Sequence, residues 1–271
     1  MNLNTFFRLL TILTLYTVSA QNIPIEHLKT SLQTNTYKYT KTILENEIEG
    51  ITVTQVSITE KSILENLEDN SKFIYLFIKG NGTLTIDRTP HQIVPETILL
   101  PNYKKSFTIA ANKKDTLHFL KIKSKLTKQD YLDLAEFPKE NTNNIYFKKF
   151  TECEAYTEPI KSPNTISRTI LPNKYIPRIA MGTVQTIGPD KVGAHEHGML
   201  EQLFLGLNNN LVTVYADEAQ INFPEYSLLH IPLGSSHSVT VDEGNTMYYI
   251  WMDFFKDKKG EEWLKTHNTT K

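Results

Sequence analysis

Gly193-Ala194-His195-Glu196-His197-Gly198-Met199-Leu200-Glu201, followed later by Ile231-Pro232-Leu233-Gly234-Ser235-Ser236-His237, is the stretch from which the rest of this chain can be read. His195 and His197 stand two apart, and on a strand residues i and i+2 share one face. Glu201 comes four residues later and can approach that face through an intervening turn. His237 arrives from a second strand about 40 residues on, which an antiparallel barrel can bring alongside. Three imidazoles and one carboxylate suit a divalent transition ion and leave open positions for water or substrate.

The flanking sequence supplies the strands. Ile51-Thr-Val-Thr-Gln-Val-Ser-Ile58 alternates with period two, and Phe73-Ile-Tyr-Leu-Phe-Ile78 is a continuous apolar run. Asn81-Gly82 turns into Thr83-Leu-Thr-Ile86, and further short runs follow at His91–Val94, Thr97–Leu100, Ser106–Ala110 and Thr116–Ile122. The second half repeats the texture at Ile179–Thr186, Gln202–Leu205, Leu211–Tyr215, Ala219–Asn222, Ser227–Ile231, Ser238–Val241 and Met247–Phe254. Short strands at such spacing predict an all-β sandwich or barrel. Thr127 to Phe137 reads as a helix with Thr127 as cap and Leu132, Leu134 and Phe137 on its apolar face. Glu261 to Thr266 is a second, terminal helix candidate. Lys139-Glu-Asn-Thr-Asn-Asn144 is polar and turn-forming, and it marks a domain boundary.

The halves share a landmark. Phe77-Ile-Lys-Gly-Asn-Gly82-Thr-Leu-Thr-Ile leads to Thr97-Ile-Leu-Leu-Pro101; Leu205-Gly-Leu-Asn-Asn-Asn-Leu-Val-Thr-Val leads to Ser227-Leu-Leu-His-Ile-Pro232. The expectation is a duplicated barrel unit, residues 21–140 and 141–271, each of ordinary domain size.

Composition narrows the partners. The chain has 271 residues, 29 basic and 30 acidic, for a net charge of -1. That balance gives no basic surface for nucleic acid. One cysteine, Cys153, excludes an internal disulfide framework and any Cys-rich zinc module. At the N-terminus a head containing Arg8, an apolar run from Leu9 to Val18 and a Val18-Ser-Ala20 ending fit a secretory signal peptide over residues 1–20. The run is too short to span a membrane as a helix. The expected address is the periplasm or the extracellular space, with Cys153 buried or free. Asn81-Gly-Thr83 and Asn268-Thr-Thr270 match the glycosylation acceptor pattern, which is common by chance.

The histidine window resembles the cupin superfamily. Its first motif has the form His-x-His-x3-4-Glu, met here by His195, His197 and Glu201. Its second has the form Pro-x-Gly-x2-His, met by Pro232, Gly234 and His237. The resemblance implies two tandem cupin barrels (double-stranded β-helix, or jelly-roll, folds) with a few short helices. It implies one divalent transition metal ion, Mn, Fe, Ni or Zn, held by His195, His197, Glu201 and His237. The first motif's closing Gly falls near Asn208, the second's leading Gly near Tyr226 and its trailing Asn at Val241. In the first half the ligands are missing: the Glu position falls near Tyr75, the His pair near Asp69 and Ser71, and the last His at Ser106. A metal-free N-terminal barrel and a homodimer are therefore expected.

The last strand offers two alternating faces, Tyr248, Ile250, Met252 and Phe254 or Met247, Tyr249, Trp251 and Asp253. Either could line the cavity. The second is the richer in chemistry, so Tyr249 and Asp253 are the candidate proton-moving residues. Gln185, Met199 and Gln202 are candidates for the rim. Glu196 alternates away from the ligands. His27, His91, His118, His230 and His267 have no matching partners and read as bystanders. The resemblance implies a metal-dependent enzyme on a small polar metabolite, a sugar or organic acid, through isomerase, lyase, hydrolase or oxygenase chemistry. The alternatives are a binding cupin without turnover and a storage or scaffold protein.

Overall fold

The structure is a computed structural model that describes residues 22–33, 36–102, 106–260 and 262. The expected signal peptide, the Asn268 acceptor pattern, His267 and most of the terminal helix candidate lie outside those residues. Among the described residues no helix is long and apolar enough to cross a membrane.

Among the described residues the strands form four antiparallel sheets. In the N-terminal barrel the six-stranded sheet runs Tyr146–Lys149, Thr97–Leu100, Ser71–Lys79, Thr116–Lys125, Ile51–Thr59, Lys38–Ile43. It faces a four-stranded sheet, Ser62–Asn66, Ser106–Ala111, Gly82–Ile86, Thr89–Ile93. In the C-terminal barrel the seven-stranded sheet runs Ile25–His27, Ser227–Ile231, Leu200–Gly206, Thr246–Phe255, Ile179–Ile187, Ile166–Leu171, Ala155–Tyr156. Opposite it lie Asp190–His195, His237–Val241, Leu211–Ala216 and Ala219–Pro224.

The apolar runs are continuous because the large sheets are buried on both faces. Along Ser71–Lys79, Phe73, Tyr75 and Phe77 fill the first barrel with Leu84, Ile93, Phe107 and Ile109. The alternate residues Ile74, Leu76 and Ile78 join a third core shared with the other barrel. Along Thr246–Phe255, Met247 and Tyr249 fill the second barrel with Val192, Phe204 and Val239. Tyr248, Ile250, Met252 and Phe254 point into the shared core. Of the two faces left open on that strand, the one carrying Tyr249 and Asp253 is therefore the inward one.

The strand pairing departs from a division at residues 140/141. Ile25–His27 pairs with Ser227–Ile231 of the C-terminal barrel, although it precedes the first barrel in sequence. Tyr146–Lys149 pairs with Thr97–Leu100 of the N-terminal barrel, although it follows the polar boundary. Each covers an open edge of a large sheet, which would otherwise expose unpaired backbone groups. The two barrels thus hold each other by exchanged edge strands as well as by the shared core.

The helix forms as Lys128–Glu136. Thr127 caps it and Asp130 returns the bond, a full capping box. Its docking differs from the apolar face expected at Leu132, Leu134 and Phe137. Leu132 is 62% exposed, whereas Asp130 and Asp133 are buried. The Arg178 guanidinium grips the Asp130 carboxylate at 2.7 and 2.8 Å, so the helix is fastened by a charged fork. Cys153 is buried in the shared core.

Candidate metal centre

The Asp190–His195 strand lies antiparallel to His237–Val241, with His195 opposite His237. His197 follows just beyond the strand end. Gly234 makes the turn that returns the chain: its φ is +75°, a conformation that glycine adopts without strain. The Gly234 N–H donates to the His197 carbonyl at 3.3 Å, tying the two histidine segments together. One ligand atom from each of His195, His197 and His237 lies within 4.8 Å of the others. Among the described residues this is the one such cluster of three or more metal-ligating side chains.

Two of the imidazoles are held for ligation. His195 Nδ1 contacts the Gly193 carbonyl at 2.8 Å, and His237 Nδ1 contacts the Ser235 carbonyl at 3.2 Å. A carbonyl only accepts, so each Nδ1 carries the proton and each Nε2 presents its lone pair. His237 Nε2 is buried and has no hydrogen-bond partner. Burial, and then the neighbouring His195, pushes the His237 pKa down to about 3, so the ring is neutral and able to ligate at neutral pH. A small cleft lies here, lined by His197, Leu200, Gln202, Ile231, Pro232, Ser235 and His237.

Glu201 is not in this cluster. On Leu200–Gly206, Phe204 faces the barrel interior, while Leu203 and Leu205 face the shared core. Glu201 has the parity of Leu203, and its carboxylate meets His230 Nε2 at 3.0 Å. His230 Nδ1 meets Glu47 of the N-terminal barrel at 2.8 Å. The expected fourth ligand thus sits in a hydrogen-bonded bridge between the barrels, and His230 is the centre of that bridge rather than a bystander. Gln202 takes the inward parity. Its Nε2 donates to Asp253 Oδ1 at 2.7 Å, and its Oε1 is buried without a partner. The motif's own tolerance of three or four intervening residues was the signal that position 202 could stand where 201 was expected.

The two proton-moving candidates separate. Asp253 is buried against Gln202, and burial raises its carboxyl pKa to about 7. Tyr249 lies deeper, with its ring 4.8 Å from Phe204 and 6.2 Å from Phe223, and burial pushes its phenol well above the usual range. Phe204 is also 5.9 Å from the His237 ring, so Tyr249 is an aromatic support one residue removed from the histidines. Of the rim candidates, Gln202 enters the cleft; Gln185 and Met199 do not line it. Tyr226, at the place of a motif glycine, does adopt positive φ, at 51°.

No protein-family model matches the sequence, and no curated protein is similar to it. Solved structures are similar in fold. A Pseudomonas aeruginosa protein described as glyoxylate-induced superposes with a TM-score of 0.64 at 10% identity, covering 80% of this chain and 79% of that one. A cupin 2 conserved barrel domain protein from Leptotrichia buccalis gives 0.59 at 14% identity, with 88% and 99% covered. Lactobacillus farciminis oxalate decarboxylase, solved with formate, gives 0.61 at 11% identity, with 92% and 91% covered. The paired barrels, their topology and these likenesses lead to one statement: the chain folds as a two-barrel cupin.

Proposed function

We propose that the C-terminal barrel is a metal-dependent active site for a small polar metabolite, a sugar or an organic acid, and that the N-terminal barrel carries no metal. The observation behind this is the convergence of three imidazoles, two of them held with Nε2 presented, beside a buried, unpartnered amide oxygen. A polar atom buried without a partner costs about 1–3 kcal/mol, and a bound cation removes that cost. A divalent ion held here would supply a Lewis acid for a carbonyl or carboxylate oxygen. The residues of the chain do the rest. Leu200, Ile231 and Pro232 line the cleft with apolar surface that sheds water. The carbonyls of Gly193 and Ser235 keep two imidazoles in the ligating tautomer. An organic acid is the favoured class because one neighbour in fold is an oxalate decarboxylase solved with formate.

The test is elemental analysis followed by a metabolite panel. Purified protein is expected to carry close to one transition ion per chain and to consume a small organic acid or sugar only when loaded. Binding without turnover would make it a carrier; no ion under any growth condition would end the metal reading. We also propose export, from the composition of residues 1–20, to be checked by N-terminal sequencing of secreted protein. A homodimer, implied by the cupin resemblance, is tested by light scattering on a sizing column.

A further inference from the structure

We infer that Gln202, in place of Glu201, completes the donor set, and that the resulting uncharged set makes the bound ion a receptor for a small carboxylate. This rests on the metal reading above and adds to it the identity of the fourth donor and the charge of the substrate.

The amide has two ends, and its neighbour decides between them. Gln202 lies opposite Asp253 in the Leu200–Gly206 and Thr246–Phe255 pair. Its Nε2 donates to Asp253 Oδ1 at 2.7 Å. With Asp253 ionised, the reverse orientation would set the amide oxygen against a carboxylate oxygen, two acceptors with no proton between them. Asp253 therefore pins the nitrogen end and leaves Oε1 on the cleft side. Gln202 is 5% exposed, and that oxygen has no hydrogen-bond partner. Gln202 lines the same cleft as His197 and His237. Glu201 has no such freedom, because its carboxylate is committed to His230 on the opposite face of the strand.

The consequence is electrostatic. Three neutral imidazoles and an amide oxygen carry no negative charge. A divalent ion on them keeps its full charge, whereas a glutamate donor would cancel half of it. Asp253 acts one hydrogen bond behind the amide, polarising the oxygen as an outer carboxylate polarises a ligating histidine. The apolar walls Leu200, Ile231 and Pro232 lower the local dielectric and so strengthen the attraction of the ion for an anion. A small carboxylate that supplies the missing negative oxygen is the complement of such a site.

The experiment titrates Co(II) into metal-free protein and then formate into the Co(II) form, following the visible spectrum of the ion. Gln202→Leu is expected to weaken Co(II) binding by about 10–100-fold, the usual cost of a disturbed metal shell. Glu201→Gln should stay close to wild type. Gln202→Glu should keep the ion and bind formate at least about tenfold more weakly, since tenfold corresponds to only about 1.4 kcal/mol. If Gln202→Leu fails to fold, the near-isosteric Gln202→Glu and Glu201→Gln still decide the matter. Loss of Co(II) by Glu201→Gln with retention in Gln202→Leu would overturn the assignment of the donor. Undiminished formate binding by Gln202→Glu would overturn the charge argument. Both failures would leave the metal reading standing; a wild-type protein that takes up no Co(II) would remove that reading and this inference together.

Discussion

The two barrels offer the same positions and fill them with different chemistry. In the C-terminal barrel His195 lies opposite His237, and Gln202 opposite Asp253. At the corresponding pairs of the N-terminal barrel Glu65 lies opposite Phe107, and Phe73 opposite Lys123; the next inward pair along that strand is Tyr75 opposite Lys121. There the polar groups satisfy one another. The Tyr75 hydroxyl donates to Glu65 Oε2 at 2.7 Å, Lys121 forms an ion pair with the same carboxylate, and the Lys121 ammonium lies 5.0 Å from the centre of the Phe73 ring. The C-terminal barrel instead leaves His237 Nε2 and Gln202 Oε1 without partners. One barrel has an internal cation in the form of a lysine, and the other has a cavity chemically suited to a cation from outside. The comparison separates a packed polar core from a site: the first balances its own charges, and the second does not.

That contrast can be broken most directly at His237. His237→Ala is expected to abolish metal uptake, measured as metal per chain, while Glu65→Ala leaves it unchanged. Metal retained without His237 would remove the distinction between the barrels.

The next effect is on stability. Glu65→Ala leaves Lys121 and Tyr75 without their partner inside the first barrel, with a cost of about 3–5 kcal/mol in urea denaturation. The double variant Glu65→Leu with Lys121→Met should recover most of that loss, because an apolar pair of similar volume needs no desolvated charge. A single variant as stable as wild type would show that the ion pair does not close the barrel.

A third expectation concerns pH. His118, buried beside Ser57 in the N-terminal barrel, has its pKa pushed down to about 4, chiefly by burial and then by Lys79. The unfolded chain takes up this proton near pH 6.5 and the folded chain only near 4. The stability present above 6.5 is therefore lost progressively as pH falls to about 4, by up to about 3 kcal/mol. His118→Gln should flatten the metal-free protein's denaturation midpoint across that window. An unchanged slope would assign the acid sensitivity elsewhere.

The smallest effect belongs to the bridge between the barrels. Glu201→Gln keeps an acceptor for His230 but removes a charge from the Glu47–His230–Glu201 chain, and about 1 kcal/mol of stability should go with it. Differential scanning calorimetry would measure it; a shift as large as that of Glu65→Ala would place more of the inter-barrel attachment here than in the shared core.

Much of the site is legible in the order of the residues. The period-two spacing of His195 and His197, and the Pro232-x-Gly234 turn ahead of His237, are local features whose geometry follows from backbone rules, and the fold brings those three side chains together. Tyr75, reached by counting from Gly82, stands instead at the position of Phe204 in the strand pairing, and Phe73 at that of Gln202. The counts that failed crossed loops. Asp69 and Ser106 are exposed, and the inward positions are Glu65 and Phe107. Loop length can change by a residue without penalty, and one residue reverses the face.

The all-β class, the repeated barrel pattern and the approach of the three imidazoles follow from residue order and strand periodicity. Two features do not. One is that Gln202 faces the cleft while Glu201 faces the other barrel; the other is that Ile25–His27 and Tyr146–Lys149 each complete the other barrel's sheet. The reason is the same in both cases. Leu203, Phe204 and Leu205 are all buried because the strand has a core on either side, so no polar alternation marks the inward face. Likewise a short edge strand carries no label for which sheet it will close. Those choices are made by the packing of one barrel against the other.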